Sequence, residues 1–444
     1  MQIRFLRVEP SQRGSPAGRP APGDTKRADE EDLELPSGAC RSFVRLLSAA
    51  GLSAGRGWTP VVGALLAFVV HSSIGFFYIY LGFRSFQEDQ HAGKPFFTSL
   101  FHSNFMGIPQ ALMYVSVVLS LAVGRRRYSR VISDLSRVLK ELELLPQPAT
   151  SWLRPNSIGT AMWALTAGLV VSFFATKIRT ALWMCGVATP PAGAYKESCA
   201  GWLALTFGLA FFNISSVAFV AMKFILAGLL LAHGLQLVNG RLEALAAGAA
   251  ATDTATTADS AAAAAEAGVT SVDAAETGVT SADVAEPPLS DEAELRRLGR
   301  LHRRLSEVTS SLCSAMSPEL TMLLAVGVLS QVMLAALLFS TVQDMGWLLR
   351  YLPLAAVSMG GPCETCQQLL NRLDAGRRLL LRLEWHRPQL GGTVGPLLRN
   401  IEHDLETVGD LGLFRLRRST LLSVWSTIAT YIIVMAQFKM SETP

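Results

Sequence analysis

Six long apolar runs, flanked by Lys and Arg that fall almost entirely on alternate sides, constrain this chain more than anything else in it. A membrane-spanning helix needs about 20 predominantly apolar residues. Thr59–Phe83, Phe97–Val123, Ile158–Thr176, Gly201–Met222, Leu320–Val342 and Leu421–Phe438 all qualify. Trp347–Leu370 is ambiguous, because it carries Arg350, Pro353, Gly360, Gly361, Pro362 and Glu364. Charge resolves it. With this seventh span included and the N-terminus inside, the inner segments 1–57, 124–157, 234–317 and 370–418 hold 31 of the 39 Lys and Arg. The outer segments hold 7, and Lys223 is left over at the end of the fourth span. Cytoplasmic loops carry such an excess of basic residues. Without the seventh span, the nine basic residues of 370–418 would move outside. The predicted fold is therefore all-α: a polytopic membrane protein of seven transmembrane helices, N-terminus cytoplasmic and C-terminus extracellular. The sixth helix is expected to break near Gly360–Pro362.

Composition agrees. Half of the residues are hydrophobic and 17% are charged, against about a quarter charged in soluble domains. A net charge of +4 spread in this way does not suggest a nucleic-acid partner. The first 35 residues have no apolar core of a signal peptide and are rich in Pro, Gly, Arg and acids. They predict a disordered cytoplasmic tail over 1–57, ahead of a seven-helix domain over 58–444, with the first span as the insertion signal.

The long second inner loop holds a low-complexity acidic insertion at 246–288, in which Gly268-Val269-Thr270-Ser271 repeats as Gly278-Val279-Thr280-Ser281. This insertion is expected to be unstructured. After it, Leu295, Leu298, Leu301, Leu305, Val308 and Leu312 recur every three or four residues opposite a set of arginines, predicting an amphipathic helix that leads into the fifth span. Leu369, Leu370, Leu373, Leu380 and Leu383, and then 397–408, show a similar pattern. With the extended fourth helix they predict a helical layer beneath the membrane.

Motifs for enzymatic chemistry are absent: the sequence has no P-loop, HExxH, GxSxG or strand-associated GxGxxG. His71 and His102 stand singly, and no cofactor or metal site is predicted. Neither internal repeats nor charged midplane residues point to a transporter. Cys185 and Cys199 flank one short outer loop and form a possible disulfide. Cys363 and Cys366 form a lone CxxC without a second ligand pair, which is weak evidence for zinc.

Chemistry concentrates in the last span. Thr430 and Tyr431 are followed by five apolar residues and then Gln437 and Phe438. Residues seven apart nearly eclipse on a helix, so Thr430 stacks over Gln437 with Val434 between them, and Tyr431 stacks over Phe438. Polar groups in such a helix face a bundle interior or a wet path rather than lipid. Gln437 can form a polar ring, Phe438 and Val434 an apolar constriction, and Thr430 an inner lining. One such helix cannot enclose a pore, but four copies around an axis can. Tyr431, offset from the stripe, is expected to pack on the neighbouring fifth or sixth helix and to hydrogen-bond to it.

This Thr-Tyr, five-residue, Gln-Phe pattern, with Gly412-Leu413-Phe414-Arg415-Leu416 and Arg418-Ser419-Thr420-Leu421-Leu422-Ser423 before it, resembles the last-helix signature of the insect gustatory receptor family. The close match covers about 30 residues, and the rest matches in layout. The resemblance implies a ligand-gated non-selective cation channel in the plasma membrane of a sensory neuron. It also implies a homo- or hetero-tetramer whose last helices line a central pore with Gln437 and Phe438 at the gate. The implied partners are a small-molecule tastant, membrane lipid, permeant cations and other receptor subunits. It further implies a ligand pocket in the outer half of the first six helices, where no particular residue can be assigned from sequence. The family's sugar receptors commonly carry an acid after the Thr-Tyr pair. Ile432 stands there in this chain, which favours a bitter-type or unassigned receptor over the main sugar clade and leaves a fructose-type receptor open. Two other readings stay open: a seven-helix receptor signalling through a G protein without its own pore, although G-protein-coupled receptors have the opposite topology, and a non-channel scaffold or transporter of the same topology.

Overall fold

A computed structural model describes residues 38–54, 58–93, 111–144, 154–184, 208, 218–266, 291–340, 354–411 and 415–442. The described residues are almost wholly helical. Their only β-type pairing is an isolated bridge between Asp410 and Arg415. Among the described residues nine α-helices run in order: α1 Gly38–Ala49, α2 Thr59–His91, α3 Arg125–Glu143, α4 Pro155–Met184, α5 Phe219–Glu266, α6 Asp291–Ser340, α7 Gly361–His386, α8 Gly391–Thr407 and α9 Arg418–Glu442. Helical residues 111–119 lead into α3 through a π-helical turn at Ser120–Gly124. Three of these helices are long and apolar enough to cross a membrane.

Helix length follows from the sequence patterns. α5 has 48 residues and α6 has 50, or about 72 and 75 Å at 1.5 Å per residue. Both far exceed the roughly 30 Å of a hydrocarbon core. The amphipathic stretch after residue 290 and the fifth apolar run form one helix, with Asp291, Glu292 and Glu294 in its first turn, where acids favour helix initiation. Leu295, Leu298, Leu301, Leu305, Val308 and Leu312 are all buried. In α7, Leu369, Leu370, Leu373, Leu380 and Leu383 are buried as well. These faces, with those of α3 and α8, make a helical layer continuous with the apolar bundle.

α5 and α7 have the largest mutual interface. They approach closely because small residues face partners across it: Gly228 faces Thr365, Gly361 faces Ile225, and Gly376 faces Asn239. The Asn239 amide donates to the Arg372 carbonyl at 2.7 Å across the same seam.

Three sequence expectations are corrected. The disordered tail does not extend to residue 57. α1 is a packed helix that buries Cys40, Phe43, Val44 and Leu47. It lies on α4, where the Cys40 thiol donates to the Pro155 carbonyl at 2.9 Å and Phe43 meets Trp163 edge-on at 5.9 Å. Its apolar residues are spaced for one helix face, a signal hidden by the polar stretch before it. The sixth helix does not break at Gly360–Pro362 either. A π-helical turn at Ala356–Gly360 carries the chain into α7. Pro362, which has no N–H to donate, comes just after that π-helical turn in the first turn of α7. The helix α5 also runs through Glu266, into the first half of the 246–288 insertion expected to be unstructured. Residues 267–288 lie outside the described residues, as do Cys185 and Cys199.

Candidate functional site: the last helix and the helices that hold it

The base of α9 is fixed by a tight turn. Gly409 has φ +79°, a left-handed conformation that favours glycine. Its carbonyl accepts the Leu416 amide at 2.8 Å, closing the connection from α8. A side chain at 409 would stand 3.2 Å from the Leu416 carbonyl and 3.4 Å from the Cys366 sulfur. Ser317 of α6 donates to the Leu411 carbonyl at 3.4 Å. Arg418 grips Glu364 of α7 through both carboxylate oxygens, at 2.7 and 2.8 Å. Cys366 lies beside this turn, and Cys363, one helical turn earlier, is buried as well.

Above its base α9 has two unlike faces. It packs on α6, α7 and the π-helical turn at Ala356–Gly360. Ile428 on that side is buried, at 4% exposure. Residues two apart point about 200° apart on a helix, so Thr430 points away from the chain's own body. Thr430 and Gln437 are exposed, and Val434 between them is 39% exposed. The Thr430 hydroxyl donates back to the Ser426 carbonyl at 3.0 Å, which satisfies it locally. Thr430, Val434 and Gln437 are therefore left uncovered by the described residues of the chain. Tyr431 borders it at 36% exposure and forms no hydrogen bond to another described residue. Phe438 lies on the same helix, one residue beyond Gln437, and its side chain lies outside the described set.

Two polar sites deeper in the bundle escaped sequence reasoning. The first is a cavity of about 20 Å³ between residues 111–119, α6 and the π-helical turn at Ala356–Gly360, lined by Met113, Ser330, Gln331 and Ser358 among others. Gln331 is only 5% exposed, and its amide nitrogen has no partner among the described residues. The volume suits one water or a small polar group. A lone Gln inside an apolar run was the available signal.

The second is a buried ion pair. Lys223 of α5 and Glu319 of α6 meet at 2.8 Å, with side chains 0% and 1% exposed. The Lys223 ammonium also donates to Ser120 at 2.6 Å and lies 5.3 Å from the centre of the Tyr128 ring. Tyr128 donates its hydroxyl to the Lys223 carbonyl at 3.0 Å. The sequence reading left Lys223 unpartnered and saw no charged midplane residues, whereas the structure gives this lysine a carboxylate. Glu319 stands just before an apolar run, where an acid passes for an ordinary helix-edge residue.

The helical bundle, with an apolar body, a subjacent layer and a terminal helix packed on one side only, has the architecture of a helical membrane receptor. The family model described as 7tm Chemosensory receptor matches residues 54–442, and the chain belongs to that family. Its fold is similar to the insect olfactory receptor OR5 from Machilis hrabei, with a TM-score of 0.57 and 14% identity over 90% of this chain and 98% of that one. The same receptor solved in complex with eugenol matches equally well. No curated protein sequence matches the chain. The protein is a membrane chemosensory receptor with the insect seven-helix chemoreceptor fold.

Proposed function

We propose that the chain is a gustatory-type receptor subunit whose α9 helices, brought together from four copies, line a ligand-gated, non-selective cation pore in the plasma membrane. The observation that carries this reading is the uncovered stripe of Thr430, Val434 and Gln437, opposite a face that is packed. Polar groups on a membrane helix are costly against lipid. A face that its own chain leaves open therefore calls for water or a second copy. Gln437 and Thr430 serve as polar lining, Val434 and Phe438 as apolar constrictions that close by dewetting, and Tyr431 as a packing residue beside them. The positive-inside count puts Arg415, Arg417 and Arg418 in the cytoplasm and Gln437 near the outer face.

The ligand is a small organic molecule. OR5, which shares the fold, has been solved with eugenol, and Gln331 gives this chain a buried donor with no partner among the described residues, suited to an oxygen-bearing ligand or its bridging water. Ile432 favours a bitter-type or unassigned ligand over the sugars.

Expression of the full chain, alone and with partner subunits, tests the reading. Gln437→Ala is expected to change resting or ligand-evoked current at unchanged surface expression. Unaltered current through a working channel removes Gln437 from the pore.

A further inference from the structure

Three irregularities meet at one level of the bundle, where the sequence boundaries place the inner ends of the second, fourth and fifth spans. The chain approaching α3 widens into the π-helical turn Ser120–Gly124. α6 carries Pro318 in its interior. Proline has no N–H, so the Ser314 carbonyl loses its helical partner and α6 is weakened there. Between these two points lies the buried pair of Lys223 and Glu319. π-Helical turns and interior prolines cost helix stability and are tolerated where their surroundings fix them.

The pair is built into both irregular elements. Lys223 reaches Ser120, the first residue of the π-helical turn. Glu319 presses its Oε1 oxygen against Gly124, the last: a Cβ there would lie 1.6 Å from that oxygen. Glu319 is thus wedged into the one turn of this helix that lacks a side chain to exclude it. Its Oε1 has no partner among the described residues, so its charge depends on Lys223.

The opposite face of α6 holds the base of α9. Ser317 is two residues before Glu319, about 200° around the helix, and it binds the Leu411 carbonyl. One turn earlier on that face, Cys313 is buried. Pro318 sits between Ser317 and Glu319. The helix is therefore clamped to α5 and the π-helical turn on one side, holds the lead-in to α9 on the other, and is weakened at the residue in between.

We propose that Lys223 and Glu319 are positioning residues that fix α6 at Pro318, and that displacement of α5 or of the Ser120–Gly124 turn reaches the base of α9 through this clamp. The consequence for gating rests on the pore reading of α9.

Hydrogen exchange on the purified full chain tests the clamp without requiring current. The reporters are the amides of Asp410 and Leu416, bonded to Thr407 and Gly409. Glu319→Gln removes the charge and keeps the shape, while the double variant Lys223→Met/Glu319→Met removes both charges and keeps bulk, so that it folds even where the single variant does not. In whichever variants fold, exchange at Asp410 and Leu416 is expected to rise about tenfold while amides of 380–401 keep wild-type rates. Ser317→Ala, which cuts the link on the far side, is expected to raise the same two amides. Unchanged exchange at 410 and 416 in the double variant overturns the proposal. So does a rise spread evenly over the chain, which would make the pair a general stabiliser. Recordings separate the two readings. A local exchange change in a chain that carries no current in any form refutes the pore and leaves the clamp. A working channel whose resting and evoked currents are unmoved by the double variant refutes the transmission.

Discussion

At the scale of single residues, Gly409 and Gly93 make a controlled comparison. Both adopt a left-handed φ, +79° and +71°, which costs a non-glycine residue about 1–2 kcal/mol. A side chain at 93 would meet nothing within 4 Å, whereas one at 409 meets the Leu416 carbonyl and Cys366. Gly409→Ala is therefore expected to lower the thermal unfolding midpoint of the full chain more than Gly93→Ala does; equal effects would show that the turn is not tightly packed. His302 supplies a pH-dependent term. It is 2% exposed, and burial lowers its pKa to about 4. The unfolded chain then binds a proton that the folded chain resists. This contribution is complete above about pH 6.5 and is lost as pH falls towards 4, on the order of 3 kcal/mol in all. Asp404 acts in the opposite sense, because burial raises its pKa and its neutral form suits the fold. His302→Leu is expected to flatten the acid limb of a stability–pH curve, and an unchanged limb contradicts the assignment. None of these residues stands out in the sequence. A left-handed glycine and a buried histidine are defined by what the fold brings against them.

At the scale of elements, legibility tracked distance along the chain. The leucine periodicity of 295–312 and the stripe on α9 are local patterns: the leucines are buried as expected, and Thr430, Val434 and Gln437 lie exposed on one helix. α1 was missed because its short apolar face was averaged into the polar segment before it. The pair of Lys223 and Glu319 was missed because 96 residues separate its members. No periodicity links a lysine ending one apolar run to a glutamate opening another. Gly124 belongs to the same lesson. It looks like a loop glycine between Val123 and three arginines, yet its missing side chain makes room for Glu319. Gly124→Ala is expected to displace Glu319, because the new Cβ and Oε1 cannot both keep their places. The measurement is accelerated exchange at Asp410 and Leu416, and wild-type rates would show that the carboxylate relaxes at no cost to the clamp. The Arg418–Glu364 bridge is exposed, with side chains 59% and 43% accessible. As a surface pair it contributes about 0–1 kcal/mol, and it serves to fix the angle at which α9 leaves α7.

At the scale of the whole molecule, α9 is an element whose environment the described residues do not complete. Ile428 faces the chain's own core, while Thr430, Val434 and Gln437 face outward, so the account turns on what lies opposite them. The described cysteines, Cys40, Cys313, Cys363 and Cys366, are all buried; Cys185 and Cys199, expected to flank an outer loop, are replaced by Ser in the background chain. The most direct measurement introduces Thr430→Cys, Gln437→Cys and, on the packed face, Ile428→Cys. A membrane-impermeant thiol reagent is then applied from outside during currents evoked by a panel of small organic molecules that includes eugenol. A pore lined by the stripe predicts that modification at 437 and 430 reduces the current and that 428 is unaffected. Modification of the current at 428 alone, or no effect at either stripe position in a chain that conducts, would contradict it.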